Sequence, residues 1–125
     1  MIGLYRPKIL LLDSVGSEFL KKIFLKEKVD FLLAKNPNEA KNKLAQANID
    51  IIVAIMEQDN LNLSDFFLEV PSNISIIAID ALGGIVPKDW KESCDIFLRK
   101  KTAQESLIKI CFDLLDQGRI LNKAA

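Results

Sequence analysis

The stretch IDIIVAIM, from Ile49 to Met56, is an almost continuous run of apolar and β-branched side chains. Such a run is typical of a strand that is covered on both faces of a parallel sheet, because neither face has to meet water. Parallel sheets usually place their chemistry beyond the carboxyl ends of their strands. At that end this strand carries Ile55 and Met56, whose side chains supply neither a nucleophile nor a strong metal ligand. The stretch therefore predicts a buried strand whose end is not catalytic.

Similar apolar runs recur along the chain. They are KILLLD from Lys8, VDFLLAK from Val29, ISIIAID from Ile74 and DIFLRK from Asp95. The starts of the five runs are spaced by roughly 20 to 25 residues, which is the length of a strand, a helix and two short loops. This regular spacing predicts five strands that alternate with helices.

Amphipathic patterns fill most of the intervals. The predicted helices are SVGSEFLKKIFLKEK from Ser14, NPNEAKNKLAQA from Asn36, NLSDFFLEV from Asn62 and TAQESLIKICFDLLDQGRILNK from Thr102. Asn36 is the predicted N-cap of the second helix, and Thr102 with Glu105 forms a predicted capping box for the last one. The fourth connection, ALGGIVPKDWKESC, is broken by glycines and a proline, so at most one or two helical turns are expected between Lys88 and Ser93.

Alternating strands and helices with right-handed crossovers predict an α/β fold, a single (βα)₅ doubly wound parallel sheet in the order 2-1-3-4-5 with a shortened fourth helix. This is a flavodoxin-like arrangement. Residues 1–125 are long enough for one domain with one core. Residues 118–125 are interpreted as a frayed helix end or as the start of a linker.

The composition of the chain argues against several classes of function. The chain has 17 basic and 17 acidic residues, so no net field directs it to nucleic acid or to an anionic membrane. No apolar run approaches the roughly 20 residues of a membrane span, and a cytoplasmic location is expected. The chain contains no histidine, which removes the commonest general base and transition-metal ligand. Cys94 and Cys111 are interpreted as buried thiols, with a disulfide or a reactive cysteine as the alternatives.

The pattern of KILLLD, IDIIVAIM and DIFLRK, with the helix that follows, resembles the receiver domain of two-component response regulators over nearly the whole chain. The resemblance implies a phosphorylation pocket at the carboxyl edge of the sheet. Active receivers carry an acidic pair after strand 1, a phosphoacceptor aspartate at the end of strand 3, a hydroxyl residue at the end of strand 4 and a lysine-proline pair after strand 5. In this chain the acidic pair corresponds to Asp13 and Ser14, the phosphoacceptor to Ile55 and the hydroxyl residue to Asp80. The lysine-proline pair corresponds to Arg99 and Lys100.

These replacements indicate a degenerate pocket. Phosphoryl transfer to protein needs a nucleophilic carboxylate and a divalent cation with oxygen ligands, and Ile55 provides no nucleophile. Ser14 is a poor substitute for a charged magnesium ligand. Asp13, Asp80 and Arg99 are therefore expected to form a local charge cluster. These residues predict no enzymatic activity, no cofactor and no resident metal.

Alternatives remain open at this stage. One alternative is an atypical receiver that still accepts phosphate, or binds a metal ion through Asp13 and Asp80. Glu57 and Asp59 are the candidates for a shifted acceptor, although capping of the third helix is the simpler role for these residues. The pair Gly83-Gly84 is compatible with an anion cradle but fits a tight turn better, since no glycine-rich nucleotide motif surrounds it. A small doubly wound domain that binds a nucleotide, a flavin or another ligand is the remaining alternative.

The last helix, the fifth in this count, has more apolar surface than one sheet face needs. Leu107, Cys111 and Leu114 belong to a stripe that suits packing on the sheet, whereas Ile108, Phe112 and Leu115 widen the apolar arc to about 200°. Packing against the first helix and contact with another protein, or with a second copy, are the two explanations. In receivers, the face formed by helix 4, strand 5 and helix 5 is the usual dimer and signalling surface. The candidate interface residues are Trp90, Phe97, Ile108, Phe112 and Leu115.

The resulting functional prediction is a phosphorylation-independent receiver-like module of a bacterial regulator. It would act by protein–protein contact or dimerisation through the fifth helix and strand 5. Direct binding of nucleic acid or membrane by this domain is not expected. The lysines of the first helix are interleaved with Glu18 and Glu27, so they are interpreted as a solvated face.

Overall fold

The computed structural model describes residues 8–13, 18–27, 29–56, 63–80 and 94–124. The strands are β1 (Ile9–Leu12), β2 (Phe31–Ala34), β3 (Ile51–Met56), β4 (Ser75–Asp80) and β5 (Ile96–Arg99). The helices are α1 (Glu18–Lys26), α2 (Pro37–Gln46), α3 (Leu63–Glu69) and a long one, here called the last helix (Lys100–Ala124). The predicted turns between Lys88 and Ser93 lie outside the described residues.

The five strands form one parallel sheet in the order β2-β1-β3-β4-β5. The predicted order 2-1-3-4-5 is therefore confirmed. β1, β3 and β4 lie in the interior of the sheet, and every residue of β1 is buried. This explains why the runs that form these strands are apolar without alternation.

Two apolar layers cover the sheet. On one face, side chains of α1 and the last helix, such as Phe24 and Leu107, pack on Leu11 and Val53. On the other face, α2 and α3 pack on the alternate strand residues. Because successive strand residues point to opposite faces, each strand contributes to both layers. In the part of the chain that the structure describes, no helix is long and apolar enough to cross a membrane.

α2 begins as the sequence predicts. Asn36 is the N-cap residue, and its Oδ1 accepts a hydrogen bond from the Glu39 backbone N–H at 2.8 Å. Its Nδ2 donates to Glu39 Oε2 at 3.4 Å, and Pro37 occupies the first turn. The side chain thus satisfies an N–H group that the helix itself leaves without a partner.

The last helix begins two residues earlier than predicted. Its first residue is Lys100, directly after Arg99 ends β5. Thr102 is therefore the third residue of the helix and cannot be its N-cap, so the predicted capping box is wrong. The physical reason is tertiary: the chain passes from strand to helix without a loop, and the sheet fixes where β5 stops. Residues 118–124 continue the helix.

Two aspartates hold the amino ends of neighbouring strands. Asp50 precedes β3, and its Oδ2 accepts a hydrogen bond from the Lys8 N–H at 2.9 Å. Asp95 precedes β5, and its Oδ2 accepts a hydrogen bond from the Ile76 N–H at 2.6 Å. Each carboxylate satisfies a backbone donor where the strand ladder begins, which ties the register of β1 to β3 and of β4 to β5.

Candidate functional site: the carboxyl edge of the sheet

The strand register brings the residues of the expected pocket to one edge of the sheet. Leu12 pairs with Ala54, so Asp13 lies level with Ile55 one residue further along. Ile55 pairs with Ile79. On the next strand, Asp80 pairs with Arg99. The carboxyl ends of β1, β3, β4 and β5 therefore carry Asp13, Ile55, Asp80 and Arg99 side by side, whereas Ser14 lies outside the described residues.

Ile55 is part of the hydrophobic core. Its exposed fraction is 1%, and it packs in the layer formed with α1 and the last helix. A carboxylate at this point would have to leave water for an apolar environment, at a high cost in free energy. The position that the receiver resemblance assigns to the phosphoacceptor is thus occupied by packed hydrocarbon.

Asp80 is a buried carboxylate that Arg99 compensates. The Asp80 side chain is 1% exposed, and its Oδ2 accepts a hydrogen bond from Arg99 Nη1 within an ion pair. The Arg99 side chain is 56% exposed, so the guanidinium covers the carboxylate from the solvent side. The expected contact between these two residues is confirmed, and it neutralises a charge that would be costly to bury alone.

The Phe97 ring contacts the same guanidinium group. Arg99 Cζ lies 5.6 Å from the centroid of the Phe97 ring, a distance at which a cation is attracted to an aromatic face. The two residues are two positions apart on β5 and so point to the same face of the sheet. Phe97 packs in the layer of α2 and α3, and alternation places Asp80 on this same side. Arg99, Phe97 and Asp80 therefore form one stack at the end of β4 and β5.

Asp13 is also buried at this edge, with 3% of its surface exposed. Its backbone N–H donates to the Ala34 carbonyl at 2.9 Å and so extends the pairing of β1 with β2. Its membership in the charge cluster of Asp80 and Arg99 stays a prediction. Among the described residues, no group of three or more acidic or cysteine side chains is arranged to hold a metal ion.

Burial raises the pKa of both cysteine thiols. Cys111 lies in the core, and desolvation raises its thiol pKa to about 12. The pKa of the half-buried Cys94 thiol is also raised, chiefly by desolvation. Both cysteines are free, so the disulfide alternative is wrong, and a raised pKa disfavours the thiolate that a reactive cysteine needs.

The candidate interface residues do not form one surface on one side of the sheet. Phe97 belongs to the layer of α2 and α3, whereas Ile108 and Leu115 pack against the layer of α1 and the last helix. Phe112 is exposed, with an exposed fraction of 41%. Trp90 lies outside the described residues. A surface that includes both Phe97 and Phe112 would have to wrap around the edge strand β5.

A groove runs between α1 and the last helix, with a volume of about 440 Å³. Its apolar lining is Ile23, Leu107 and Ile108, and its polar lining is Lys26, Glu27, Gln104, Glu105, Ser106 and Lys109. Ile108 therefore faces α1, so part of the surplus apolar arc packs against the first helix. The sequence did not predict this groove. The lysine pattern of α1 alone indicates a solvated face, and the groove forms only because the last helix packs beside α1.

Comparison with solved structures finds receiver domains. The receiver domain of the Francisella response regulator 1452 matches with a TM-score of 0.69 and 25% identity, over 89% of this chain and 98% of that one. A receiver domain from Clostridium thermocellum gives 0.73 and 20%, over 92% and 98%. A CheY-like receiver domain from Methanospirillum hungatei JF-1 gives 0.74 and 13%, over 92% and 98%.

No protein-family model matches the chain, and no curated protein matches it. The sheet order, the helices on both faces and the similarity to solved receivers agree with one another. The chain has the receiver-domain fold of two-component response regulators.

Proposed function

We propose that this protein is a receiver-like signalling module of a bacterial regulator that works without phosphorylation. It acts by protein–protein contact or dimerisation, and it catalyses no reaction. The surface that includes the last helix and the edge strand β5 makes the contact. The receiver fold alone does not imply this function, which we infer from the residues at the carboxyl edge of the sheet.

The observation that carries the proposal is the burial of Ile55 level with Asp13, beside the paired Asp80 and Arg99. Phosphoryl transfer needs a nucleophile and positive charge that is free to meet the phosphoryl oxygens. Here the nucleophile is replaced by hydrocarbon. Arg99 is already engaged by the buried carboxylate of Asp80, which would also repel an incoming phosphoryl group.

Exposure on the last helix supports a contact surface. Phe112 is the most exposed of its three apolar candidates, and Ile108 and Leu115 are partly buried. Exposed aromatic side chains beside partly buried aliphatic ones are enriched at protein–protein contacts. A module without chemistry at its crevice would transmit its signal through such a surface.

Intact-mass spectrometry after incubation with acetyl phosphate and magnesium tests the proposal. We expect the mass to remain unchanged, while a receiver domain with a complete pocket, treated in parallel, gains about 80 Da for one phosphoryl group. Beryllofluoride should likewise leave the amide NMR spectrum unchanged. An adduct on this protein would overturn phosphorylation independence, and peptide mapping of the adduct to Glu57 or Asp59 would establish the shifted acceptor instead.

A further inference from the structure

One edge of the sheet is formed by β2, which pairs with β1 on one side and with no described strand on the other. The carbonyls of Asp30 and Ala34 accept hydrogen bonds at 3.3 and 2.9 Å from the β1 side, so they point into the sheet. The backbone groups of successive strand residues alternate in direction. The N–H and C=O groups of Phe31 and Leu33 therefore point away from the sheet, where a further strand can pair with them.

Apolar side chains accompany this edge. Leu33 is 46% exposed, and alternation places it on the same face as Phe31, whose ring centroid lies 6.1 Å from that of Phe24 on α1. On α1, Leu25 is 58% exposed. It lies about 200° around the helix from Ile23, which lines the groove to the last helix. The two exposed leucines, Leu25 and Leu33, are therefore on the side of the molecule away from the last helix.

The two ends of β2 carry opposite charges. Asp30 directly precedes the strand and Lys35 directly follows it, and both side chains are exposed. No other charged residue occurs within residues 29–36. Lys26 and Glu27, which lie at the end of α1, line the groove on the far side of that helix. A second β2 that runs antiparallel brings each aspartate toward a lysine, whereas a parallel second strand would bring like charges together.

We propose that β2 pairs antiparallel with β2 of a second copy of this chain, which joins two five-stranded sheets into one continuous sheet. The outward backbone groups set the register: Phe31 of each copy lies opposite Leu33 of the other, and a two-fold axis passes beside Leu32. Opposite residues of this kind exchange both of their hydrogen bonds. Leu33 then packs on the Phe31 ring of the other copy. This contact is additional to the surface of the proposed function, and it does not involve the last helix.

The charges favour this edge over the other one. Asp95 precedes β5, but its carboxylate accepts a hydrogen bond from the Ile76 N–H. Arg99 ends β5, but its guanidinium pairs with Asp80. Both charged ends of β5 are thus engaged within the chain. Because two four-residue strands bury less area than a standard interface, we expect a Kd between about 100 µM and about 1 mM for the β2 dimer.

Amide hydrogen exchange of the full chain, measured by NMR at about 50 µM and at about 1 mM, tests the ladder. The N–H groups of Phe31 and Leu33 should exchange about two- to fivefold more slowly at the higher concentration, because they gain acceptors only in the dimer. The Leu32 N–H points toward β1, so its exchange should change less and serves as the internal control. Equal rates for Phe31 and Leu33 at the two concentrations would overturn the proposal.

Two substitutions of Leu33 remove the contact in different ways. Leu33→Pro deletes an outward N–H and leaves the hydrogen bonds to β1 in place, as proline on an edge strand can. Leu33→Lys keeps the N–H and replaces the apolar contact by a charge, so it tests the contact even if the proline variant does not fold. Each should weaken self-association by on the order of tenfold in sedimentation equilibrium, with the fold checked by urea denaturation. Unchanged association of a folded Leu33→Lys variant contradicts the proposed pairing.

A charge exchange tests the antiparallel direction. Asp30→Lys and Lys35→Glu should each weaken self-association, because like charges then meet at both ends of the paired strands. When labelled Asp30→Lys is titrated with unlabelled Lys35→Glu, both ends bring opposite charges together. The amide shifts of Phe31 and Leu33 should then change at concentrations on the order of tenfold lower than for either variant alone at low salt, and the advantage should shrink at high salt. No preference for the mixed dimer would exclude this pairing.

Phe112→Ala separates this inference from the proposed function, since Phe112 is exposed on the last helix. The variant should leave the β2 dimer unchanged. Association that Phe112→Ala abolishes and Leu33→Lys does not affect would overturn the β2 contact and support the surface of the proposed function. A wild-type protein that stays monomeric at about 1 mM would also overturn it, and phosphorylation independence would still rest on the acetyl phosphate experiment.

Discussion

At the scale of single residues, the main feature of the carboxyl edge of the sheet is a buried carboxylate whose charge is neutralised by an arginine. Asp80 keeps a carboxylate almost fully buried, and Arg99 lies over it from the solvent side. An ion pair of this kind adds little net stability, because the desolvation of the carboxylate offsets most of the attraction. Removing only the arginine is different, since the carboxylate then stays buried without that cation.

Arg99→Ala should therefore lower the free energy of unfolding by about 1–3 kcal/mol, measured by urea denaturation. Lys41→Ala is the matched control. It breaks the 2.5 Å ion pair with Glu69, in which both side chains are about half exposed, and should cost less than about 1 kcal/mol. Asp80→Asn added to Arg99→Ala should recover part of the loss. Equal losses for the two single variants would show that the Asp80 carboxylate does not depend on Arg99.

At the scale of secondary-structure elements, the ends of helices and strands are held by short polar side chains. Asn36 caps α2, whereas Asp50 and Asp95 satisfy backbone donors where strands begin. The cap is local, since its partner is three residues away. The aspartate contacts are not local, since the partners are 42 and 19 residues away.

Asn36→Ala should lower the free energy of unfolding by about 1 kcal/mol, because the Glu39 N–H loses its acceptor. Asn36→Gly should cost only a few tenths of that amount, since water reaches the freed donor. Asn38→Ala, at an exposed position of the same helix, is the control and should stay within about 0.5 kcal/mol of wild type. A loss at Asn38 as large as that at Asn36 would exclude a specific capping effect.

At the scale of the whole molecule, the strands of the sheet differ in how far they are buried from solvent. The described side chains of β1 and β3 are buried, as are those of β4 after Ser75. The edge strands β2 and β5 contain partly buried and exposed residues, including Leu33 with 46% of its surface exposed. Regions with fewer buried contacts open locally at lower free energy than the core.

Amide hydrogen exchange should therefore rank the strands. The slowest amides are expected in β1, β3 and β4, which should exchange only through global unfolding, whereas β2 and β5 should exchange through smaller openings. Exchange measured by NMR at several low urea concentrations separates the two routes. If the amides of β2 proved as slow as those of β3, protection of this edge by a second chain would be the explanation to test, by repeating the measurement on diluted protein.

The sequence by itself determined the number, type and order of the strands, and the cap of α2. The strands and the cap depend on short-range patterns, because strands buried on both faces must be apolar throughout and a cap acts within one helical turn. The strand order follows from the right-handed crossovers that join consecutive strands. The receiver resemblance then placed Asp80 beside Arg99, and the structure confirms that contact.

Only the tertiary structure decided where the last helix begins, which layer receives Phe97, and that Ile108 faces α1 across a groove. It also decided that Asp50 and Asp95 hold the backbone of other strands. The physical reason is that these features depend on which distant residues meet. A helical pattern records how much of a helix is apolar, but the neighbouring elements decide which part of that surface is covered.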